Sequence, residues 1–447
     1  MITRQDILKR GGALALAVAA PLPLYRGMTA AAPVTLDFWN WWNGPRKPLM
    51  DQLIGRFQAQ HPTIQVKNDL KTYDHRAEQV LTALISPNPP AVLMALRTEI
   101  PTFADQGTII PIDSYVKASG VDVRKFYPSQ VGSMYQRGQL YSLPMPTGGE
   151  YSMMLYNTDL FRKAGLNPAR PPRTWQELTA AGAALTKRGS GGKIVQGGIN
   201  LLYSGIGYQF LPNLYCNNGS LYSSDLKKVA FYSPEGIQTL QFMVDLIRSQ
   251  YGSMEHYLDF VNTTDDDSLP QHPWHQGRLG MFPVGYWVFY ETQQLAPKLR
   301  YDVTLRAYNG ANPKAKTQGP VTGGWGYVIP KGLSPETEQA AFQFVKFLTY
   351  DMQGGCQFMQ AQGRPSPLTA CNNSPIYFSS NPHWSQVQQA VAHDVTIPVL
   401  SPHDQIVAQF DTHLQGAFYG SKTAKQALSD AADAAQPILD RYWNSHH

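Results

Sequence analysis

The feature that most constrains the fold is an alternation of strand and helix patterns near the amino terminus. Residues 33–39 alternate apolar and polar side chains as a strand does, and residues 46–60 repeat apolar side chains along one helix face. Residues 63–69 and 91–95 are predicted as the next two strands, with a helix over residues 76–85 between them. Successive strands joined by helices favour a sheet with crossover helices, so the sequence predicts an α/β fold.

The rest of the chain is richer in helix patterns. Helical periodicity covers four further segments, residues 158–164, 174–187, 234–249 and 337–350. Thr174 and Glu177 have the spacing of a capping box, and Ser233 precedes Pro234 as at a helix start. The 447 residues suffice for two or three cores, and no Gly/Ser-rich linker divides them. We therefore expect two lobes between which the chain crosses more than once.

Residues 1–31 have the composition of a signal peptide. Residues 1–10 are basic, residues 11–24 are apolar, and small residues surround the bond between Ala31 and Ala32. We expect cleavage there, because the apolar run is about half of the ~20 residues that span a bilayer. Residues 3–9 resemble a twin-arginine signal in which Gln5 replaces the second arginine, so the export route stays open. No cysteine lies near the cleavage region, and we expect a periplasmic protein without a lipid anchor.

Charge and cysteine content exclude several classes of function. The formal charge is only +5, from 37 Lys and Arg against 32 Asp and Glu, which gives little excess positive charge for binding nucleic acid. The chain has no CxxC pair, no Cys/His spacing for zinc, no P-loop and no GxSxG elbow, so we expect no metal or other cofactor. Cys356 and Cys371 could pair in an oxidising compartment and leave Cys216 free, or all three could be thiols.

Six collinear segments carry a resemblance to one protein family. They are residues 143–144 (LP) with 155–166 (LYNTDLFRKAGL), 171–178 (PPRTWQEL), 231–238 (FYSPEGIQ), 276–287 (QGRLGMFPVGYW), 319–331 (GPVTGGWGYVIPK) and 340–348 (AAFQFVKFL). In their order they resemble the family 1 extracellular solute-binding proteins, the receptors of carbohydrate-type ABC importers. The resemblance spans nearly all of the chain after the leader.

This resemblance implies a periplasmic-binding-protein-like fold, with two α/β lobes, a multi-strand hinge and a ligand cleft between the lobes. It assigns residues 32–144 and 306–350 to an N-terminal lobe and residues 145–305 and 351–447 to a C-terminal lobe. A receptor of this kind closes on a small molecule and delivers it to a membrane permease, without catalysis. We expect a monomer.

Aromatic side chains beyond the strand ends are the first candidates for the cleft. A sugar ring has apolar faces that stack on aromatic planes and hydroxyls that need polar partners. Trp41 and Trp42 follow the first strand, at the sheet edge where α/β folds bind ligands, whereas Trp39 is expected in the core. Tyr73 and Asp74 follow the second strand at the same edge.

The resemblance adds positions from later segments. Trp287 stands where the family commonly has a stacking aromatic residue. Gly324 and Trp325 lie in a Gly-rich segment where missing side chains let a ligand approach the backbone. Tyr208 lies in an aromatic-rich loop that we assign to the second lobe.

Four polar or amphipathic residues complete the predicted site. Arg97 follows the third strand, and its two-pronged donor would suit an anionic group. Glu150 and Tyr151 follow the predicted hinge, and Arg364 lies near a glycine and proline stretch that resembles the family's, with arginine and proline in altered order.

Three functions remain open at this point. A sugar or polyol derivative is the favoured ligand, and the runner-up is glycerol-3-phosphate or a glycerophosphodiester held by Arg97 and Arg364. A secreted glycoside hydrolase is the alternative of another class, because two carboxyl groups such as those of Asp74 and Glu150 would suffice for catalysis.

Overall fold

The strands of the protein lie mainly in two five-stranded sheets. The computed structural model describes residues 33–72, 75–145, 152–261, 268–321 and 323–445. In chain order the strands described are β1 (Val34–Asn40), β2 (Ile64–Leu70), β3 (Val92–Leu96), β4 (Tyr135–Gln136), β5 (Gln139–Leu140), β6 (Leu143–Pro144), β7 (Met153–Asn157), β8 (Lys187–Arg188), β9 (Ile194–Ile199), β10 (Leu279–Phe282), β11 (Tyr301–Leu305), β12 (Gly319–Val321), β13 (Trp325–Val328) and β14 (Asp394–Thr396).

Helices surround these sheets. In chain order they are α1 (Arg46–Gln60), α2 (Arg76–Leu84), α3 (Ile100–Asp105), α4 (Asp113–Ser119), α5 (Pro128–Val131), α6 (Thr158–Lys163), α7 (Trp175–Leu185), α8 (Ile206–Tyr215), α9 (Pro234–Tyr251), α10 (Met254–Val261), α11 (Val288–Leu295), α12 (Pro335–Thr349), α13 (Gln357–Ala361), α14 (Thr369–Asn372), α15 (Ile376–Ser380), α16 (Trp384–Val391), α17 (His403–His413), α18 (Gln415–Phe418) and α19 (Ala424–Asn444). None of these described helices combines the length and apolar character that a membrane span requires.

The first five-stranded sheet has the order β2, β1, β3, β13, β6. β1 runs parallel to β2 and β3, so the carboxyl ends of these three strands lie at one edge. β13 comes from much later in the chain and pairs antiparallel with β3 and β6. This pairing sets Trp325 opposite Leu96, so the start of β13 reaches the same edge.

The second five-stranded sheet has the order β11, β7, β10, β9, β8. Its strands come from residues 153–305, whereas the first sheet uses residues 34–144 and 325–328. β10 runs parallel to β9 and antiparallel to β7. α11 begins shortly after the carboxyl end of β10, with Trp287 as its N-cap residue.

Aromatic packing joins the first sheet to its helices. Burial alternates along β1, where Leu36 and Phe38 are buried, and α1 buries Phe57 on its inner face. The rings of Phe38 and Phe57 lie 5.1 Å and 4.9 Å from that of Phe344 on α12. These apolar faces explain why residues 46–60 and 335–349 form amphipathic helices on this sheet.

The predicted α/β class is confirmed, and most predicted elements lie within two residues of the observed ones. The predicted strands at 33–39, 63–69 and 91–95 match β1, β2 and β3. Thr174 and Glu177 form the predicted capping box of α7, and the hydroxyl of Ser233 accepts from the amide of Gly236 at the start of α9.

One tryptophan departs from its predicted place. Trp39 is only partly buried, because it alternates with Phe38 and lies on the opposite face of β1. The ammonium of Lys71 lies 3.9 Å from the centroid of its ring. Trp39 therefore lies at the rim of the core, and the prediction of a core position was wrong.

The last hundred residues contact helices around both sheets. The π-helical turn Met352–Cys356 and α13 pack near α1 and α12 of the first sheet, whereas α17 packs on α8 and α19 on α9. A disulfide links Cys356 to Cys371, and Cys216 is a buried thiol. Of the two alternatives left open by the sequence, the structure has the paired one.

Candidate ligand-binding cleft

β1 ends at Asn40 and is followed by two tryptophans. The Oδ1 atom of Asn40 accepts from the backbone amide of Trp42 at 3.0 Å, which turns the chain beyond the strand. The indole of Trp41 donates to the carbonyl of Thr72 at 3.2 Å, and that of Trp42 donates to the hydroxyl of Tyr327 at 3.1 Å. Both indole planes are thus fixed by hydrogen bonds at the carboxyl edge of the first sheet.

Trp41 forms an aromatic group with Trp325. Their rings are nearly parallel, at 10°, with centroids 5.9 Å apart. The guanidinium of Arg76 lies 5.7 Å from each ring centroid and is held by Glu99 through two hydrogen bonds of 2.9 and 2.5 Å. Trp325 is only partly buried, so this group still presents aromatic surface.

Trp42 belongs to a second group that spans both sheets. The guanidinium carbon of Arg364 lies 5.6 Å from the ring centroid of Trp42 and 5.8 Å from that of Trp287. Both distances fall within the range of cation–π attraction. Trp42 follows β1 of the first sheet, whereas Trp287 begins α11 beside the second. We call the two five-stranded sheets, each with its own helices, the two halves of the molecule. Arg364 therefore bridges aromatic rings from both halves.

An ion pair crosses between the same two halves. Nε of Arg46, at the start of α1, lies 3.2 Å from Oε1 of Glu291 on α11, and the Glu291 side chain is fully buried. The hydroxyl of Tyr290 also reaches the carbonyl of Pro45 at 3.5 Å. A buried carboxylate needs a charged or hydrogen-bonding partner, so this contact depends on the two halves staying together.

Arg97 lies between the first sheet and the segment after it. Its Nη1 donates to the carbonyl of Gln130 at 2.9 Å, and its backbone amide donates to the carbonyl of Gly324 at 3.2 Å. Gly324 has φ +81°, a conformation that favours glycine. The next residue, Thr98, donates to Oδ2 of Asp404 on α17 at 3.1 Å. The end of β3 is thereby linked to both β13 and the late helices.

Comparison with known proteins identifies the architecture around this cleft. Residues 42–353 match the family model described as bacterial extracellular solute-binding protein. The chain belongs to this family. The matched segment begins at Trp42 and includes Trp287, Gly324 and Trp325.

Individual relatives cover almost the whole chain. The sn-glycerol-3-phosphate-binding periplasmic protein UgpB of Salmonella typhimurium is 24% identical over 426 residues, which are 92% of this chain and 94% of that protein. An ABC transporter solute-binding protein of Thermotoga lettingae, solved with α-D-tagatose, has a TM-score of 0.74 at 26% identity, covering 91% of this chain and all of that one. CpMnBP1 with mannotriose has a TM-score of 0.75 at 25% identity, over 90% of this chain and all of that one.

The structure of this solute-binding protein brings most of the predicted residues into two groups. Trp41 and Trp325 share one group, with Gly324 beside it, and Trp42, Trp287 and Arg364 share the other. Arg97 meets the first group through its backbone amide, which donates to the carbonyl of Gly324, whereas its fully buried guanidinium donates to the carbonyl of Gln130. Tyr73, Asp74, Glu150 and Tyr151 lie outside the described residues.

Tyr208 has a different setting. The prediction of a loop position was wrong, because Tyr208 lies in the first turn of α8, with 40% of its surface exposed. α8 packs on α17, because the amide of Gly207 donates to Oδ1 of Asp411 at 2.9 Å and the rings of Phe210 and Phe410 lie 5.0 Å apart. α17 also carries Asp404, which accepts a hydrogen bond from Thr98 beyond the end of β3. Tyr208 is therefore connected to that edge of the first sheet through the contact between α8 and α17.

Sequence reasoning missed two charged pairs in the cleft wall. Arg76 and Glu99 follow β2 and β3 at the edge already predicted to bind ligands, so the same topological rule could have found them. Arg46 and Glu291 had no such signal, because each is an ordinary polar position on its helix. Within the described ranges, no cluster of three His, Cys, Asp or Glu side chains could hold a metal ion.

Proposed function

We propose that this protein is the receptor of an ABC importer and captures a sugar or polyol derivative by closure of two lobes around it. The two lobes would be built on the two five-stranded sheets and divided at the predicted boundary 144/145. At the other two predicted boundaries, 305/306 and 350/351, the contacts favour a different division: residues 306–318 bond to α7 and α8 beside the second sheet, and residues 352–361 pack on α1 and α12 beside the first. The ligand would pass to a membrane permease unchanged. The mature protein would be periplasmic and monomeric, with residues 1–31 removed.

The observation that carries this proposal is the set of tryptophan rings at the edge of the first sheet, opposite α11. Trp325 of the first sheet and Trp287 beside the second are partly exposed, whereas Trp41 and Trp42 are each 1% exposed and would offer their indole planes only after opening. Aromatic planes with nearby guanidinium donors match the apolar faces and hydroxyl rim of a sugar. The relatives solved with tagatose and mannotriose support the same ligand class.

A ligand would reach the buried tryptophan rings only when the two halves separate. Trp42 is 1% exposed in the structure, where the ring of Phe358 and the guanidinium groups of Arg46 and Arg364 pack around it. Opening of the contact between α1 and α11 would expose the rings, and a ligand bridging both halves would favour reclosure. Such a ligand shifts the balance only by its extra affinity for the closed form.

A glycerol-phosphate ester is the second candidate. Arg46, Arg76, Arg97 and Arg364 all lie in or beside the cleft wall, and UgpB is named for glycerol-3-phosphate binding. Two of these arginines already face glutamates, which lowers the positive charge available to a phosphate. The aromatic content therefore favours a neutral sugar over an ester.

The test is thermal unfolding of residues 32–447 against mono- and oligosaccharides, polyols, glycerol-3-phosphate and glycerophosphodiesters. A ligand at about 100 times its Kd adds about 2.7 kcal/mol to stability, which moves Tm by a measurable amount. A shift by a neutral sugar that is recovered intact supports the proposal. A shift by phosphoesters alone supports the second candidate, and cleavage of the sugar would support a glycoside hydrolase instead.

A further inference from the structure

The disulfide closes a loop that carries the bridging arginine near its middle. Cys356 and Cys371 are 15 positions apart, and Arg364 lies between them. We call residues 356–371 the cysteine loop. Arg364 is 2% exposed and contacts the rings of both Trp42 and Trp287.

The first end of the cysteine loop is fixed on the first sheet's helices. A Cβ atom at Gly355, the residue before Cys356, would lie 1.9 Å from the carbonyl oxygen of Leu348, so the backbone there rests directly on the end of α12. Within the loop, the ring of Phe358 meets that of Trp42 edge-on, with centroids 5.3 Å apart. This half of the loop therefore moves with Trp42.

The other half is fixed by hydrogen bonds to its surroundings. The backbone amide of Tyr127 donates to the carbonyl of Pro367 at 3.0 Å. The side chain of Asn372, next to Cys371, bonds both backbone groups of Ser366 at 2.8 and 2.9 Å. The disulfide joins these two anchored parts of the cysteine loop, so the chain between them has little freedom.

Arg364 is itself held through its backbone. Its amide donates to the carbonyl of Met359 at 3.1 Å, inside the loop, and its carbonyl accepts from the hydroxyl of Tyr377 at 2.9 Å. The ring of Tyr377 stacks on Trp384 at 3.8 Å between centroids, and its hydroxyl lies 3.6 Å from Sγ of Cys371. The disulfide, Tyr377 and the arginine backbone thus form one connected unit.

We propose that the Cys356–Cys371 disulfide is a positioning element of the binding cleft, which holds the Arg364 guanidinium between Trp42 and Trp287 and so stabilises closure. Arg364 acts as a bridge between the two halves, in addition to any contact with the ligand. Presetting a long side chain lowers the ordering cost of binding. That the two rings face a ligand rests on the proposed function, but the bridge itself does not.

The test is amide hydrogen exchange, by mass spectrometry, on the ligand-free mature protein. The variants are Cys356→Ala with Cys371→Ala, Arg364→Ala, and all three together. The reporters are peptides covering residues 40–50 and 284–295, which contain Trp42 and Trp287. Leu439→Ala is the matched control, because it removes a fully buried side chain on α19 and destabilises the protein away from the loop.

We expect the double cysteine variant to exchange about tenfold faster in both reporter peptides, since loss of one bridging contact lowers the cost of local opening. Arg364→Ala should reach the same rate, and the triple variant should be no faster than Arg364→Ala alone, because coupled residues are non-additive. Acceleration confined to residues 356–371, multiplied effects in the triple variant, or an equal effect of Leu439→Ala would each overturn the proposal.

A second variant keeps the proposal testable if the double cysteine variant does not fold. Tyr377→Phe retains the disulfide and the ring but loses the hydrogen bond to the Arg364 carbonyl. It should speed exchange in the same two peptides, and unchanged rates would refute a positioning role. Neither arm uses a ligand, so a failure here is distinguishable from failure of the proposed function.

Discussion

Replacement of Arg46 by alanine tests whether the contact between α1 and α11 holds the cleft closed. Arg46 retains 14% side-chain exposure, whereas its partner Glu291 is fully buried at 3.2 Å. The guanidinium also lies 5.4 Å from the ring centroid of Trp42. Removing the guanidinium leaves the Glu291 carboxylate buried without its cationic partner while the cleft is closed. Once the halves separate, water would solvate that carboxylate.

The magnitude follows from the burial of this pair. Breaking a buried ion pair by removing one partner costs about 3–5 kcal/mol. We expect roughly 2–3 kcal/mol here, because opening lets Glu291 regain water and Arg46 is partly exposed. This free energy would appear as a shift toward the open form and a Kd about 30- to 160-fold weaker.

The assay combines calorimetric titration with small-angle X-ray scattering. Arg46→Ala should weaken binding of the ligand found in the unfolding panel and increase the radius of gyration without ligand. Arg46→Met with Glu291→Leu should recover most of the affinity, since it removes both charges and keeps apolar contact. Unchanged binding in Arg46→Ala, or additive losses in the double variant, would show that this ion pair does not hold the cleft closed.

Three further predictions concern stability. Cys356→Ala with Cys371→Ala should lower the unfolding free energy by about 3 kcal/mol in urea titrations, as expected for a loop of 15 residues; an unchanged midpoint would contradict this. Burial lowers the pKa of His403 to about 4. In the unfolded chain the same imidazole titrates near pH 6.5, so below that pH the unfolded state binds a proton that the folded state does not. The free energy of unfolding should therefore be unaffected by this group above pH 6.5 and fall by about 3 kcal/mol as the pH drops toward 4. His403→Gln should reduce the fall in the free energy of unfolding between pH 6.5 and 4, and an unchanged fall would show that His403 is not its source. Thr174→Ala should cost about 1 kcal/mol through loss of the α7 capping box, while Thr174→Ser should cost much less.

Local sequence patterns predicted the elements whose reasons are themselves local. α1 follows from the spacing of Leu53 and Phe57, and α7 follows from the capping box at Thr174. The rule that ligands lie beyond the carboxyl ends of parallel strands led to Trp41 and Trp42, which the structure indeed sets at that edge.

Contacts between distant segments were beyond that reasoning. Periodicity gives the spacing along one element and cannot show that Arg46 faces Glu291, or that Arg364 reaches Trp42 and Trp287 together. Trp39 was misplaced for a related reason, since strand alternation defines two faces without showing which is buried. The disulfide stayed open for the same lack of distance information.

If a solute binds between the tryptophans of the two halves, removal of either ring should abolish binding. The most direct measurement is the ligand panel repeated with Trp42→Ala and with Trp287→Ala, each compared with Trp443→Ala on the distant helix α19. We expect the ligand-induced rise in Tm to be lost in the first two variants and kept in the third. An undiminished rise in both cleft variants would contradict it.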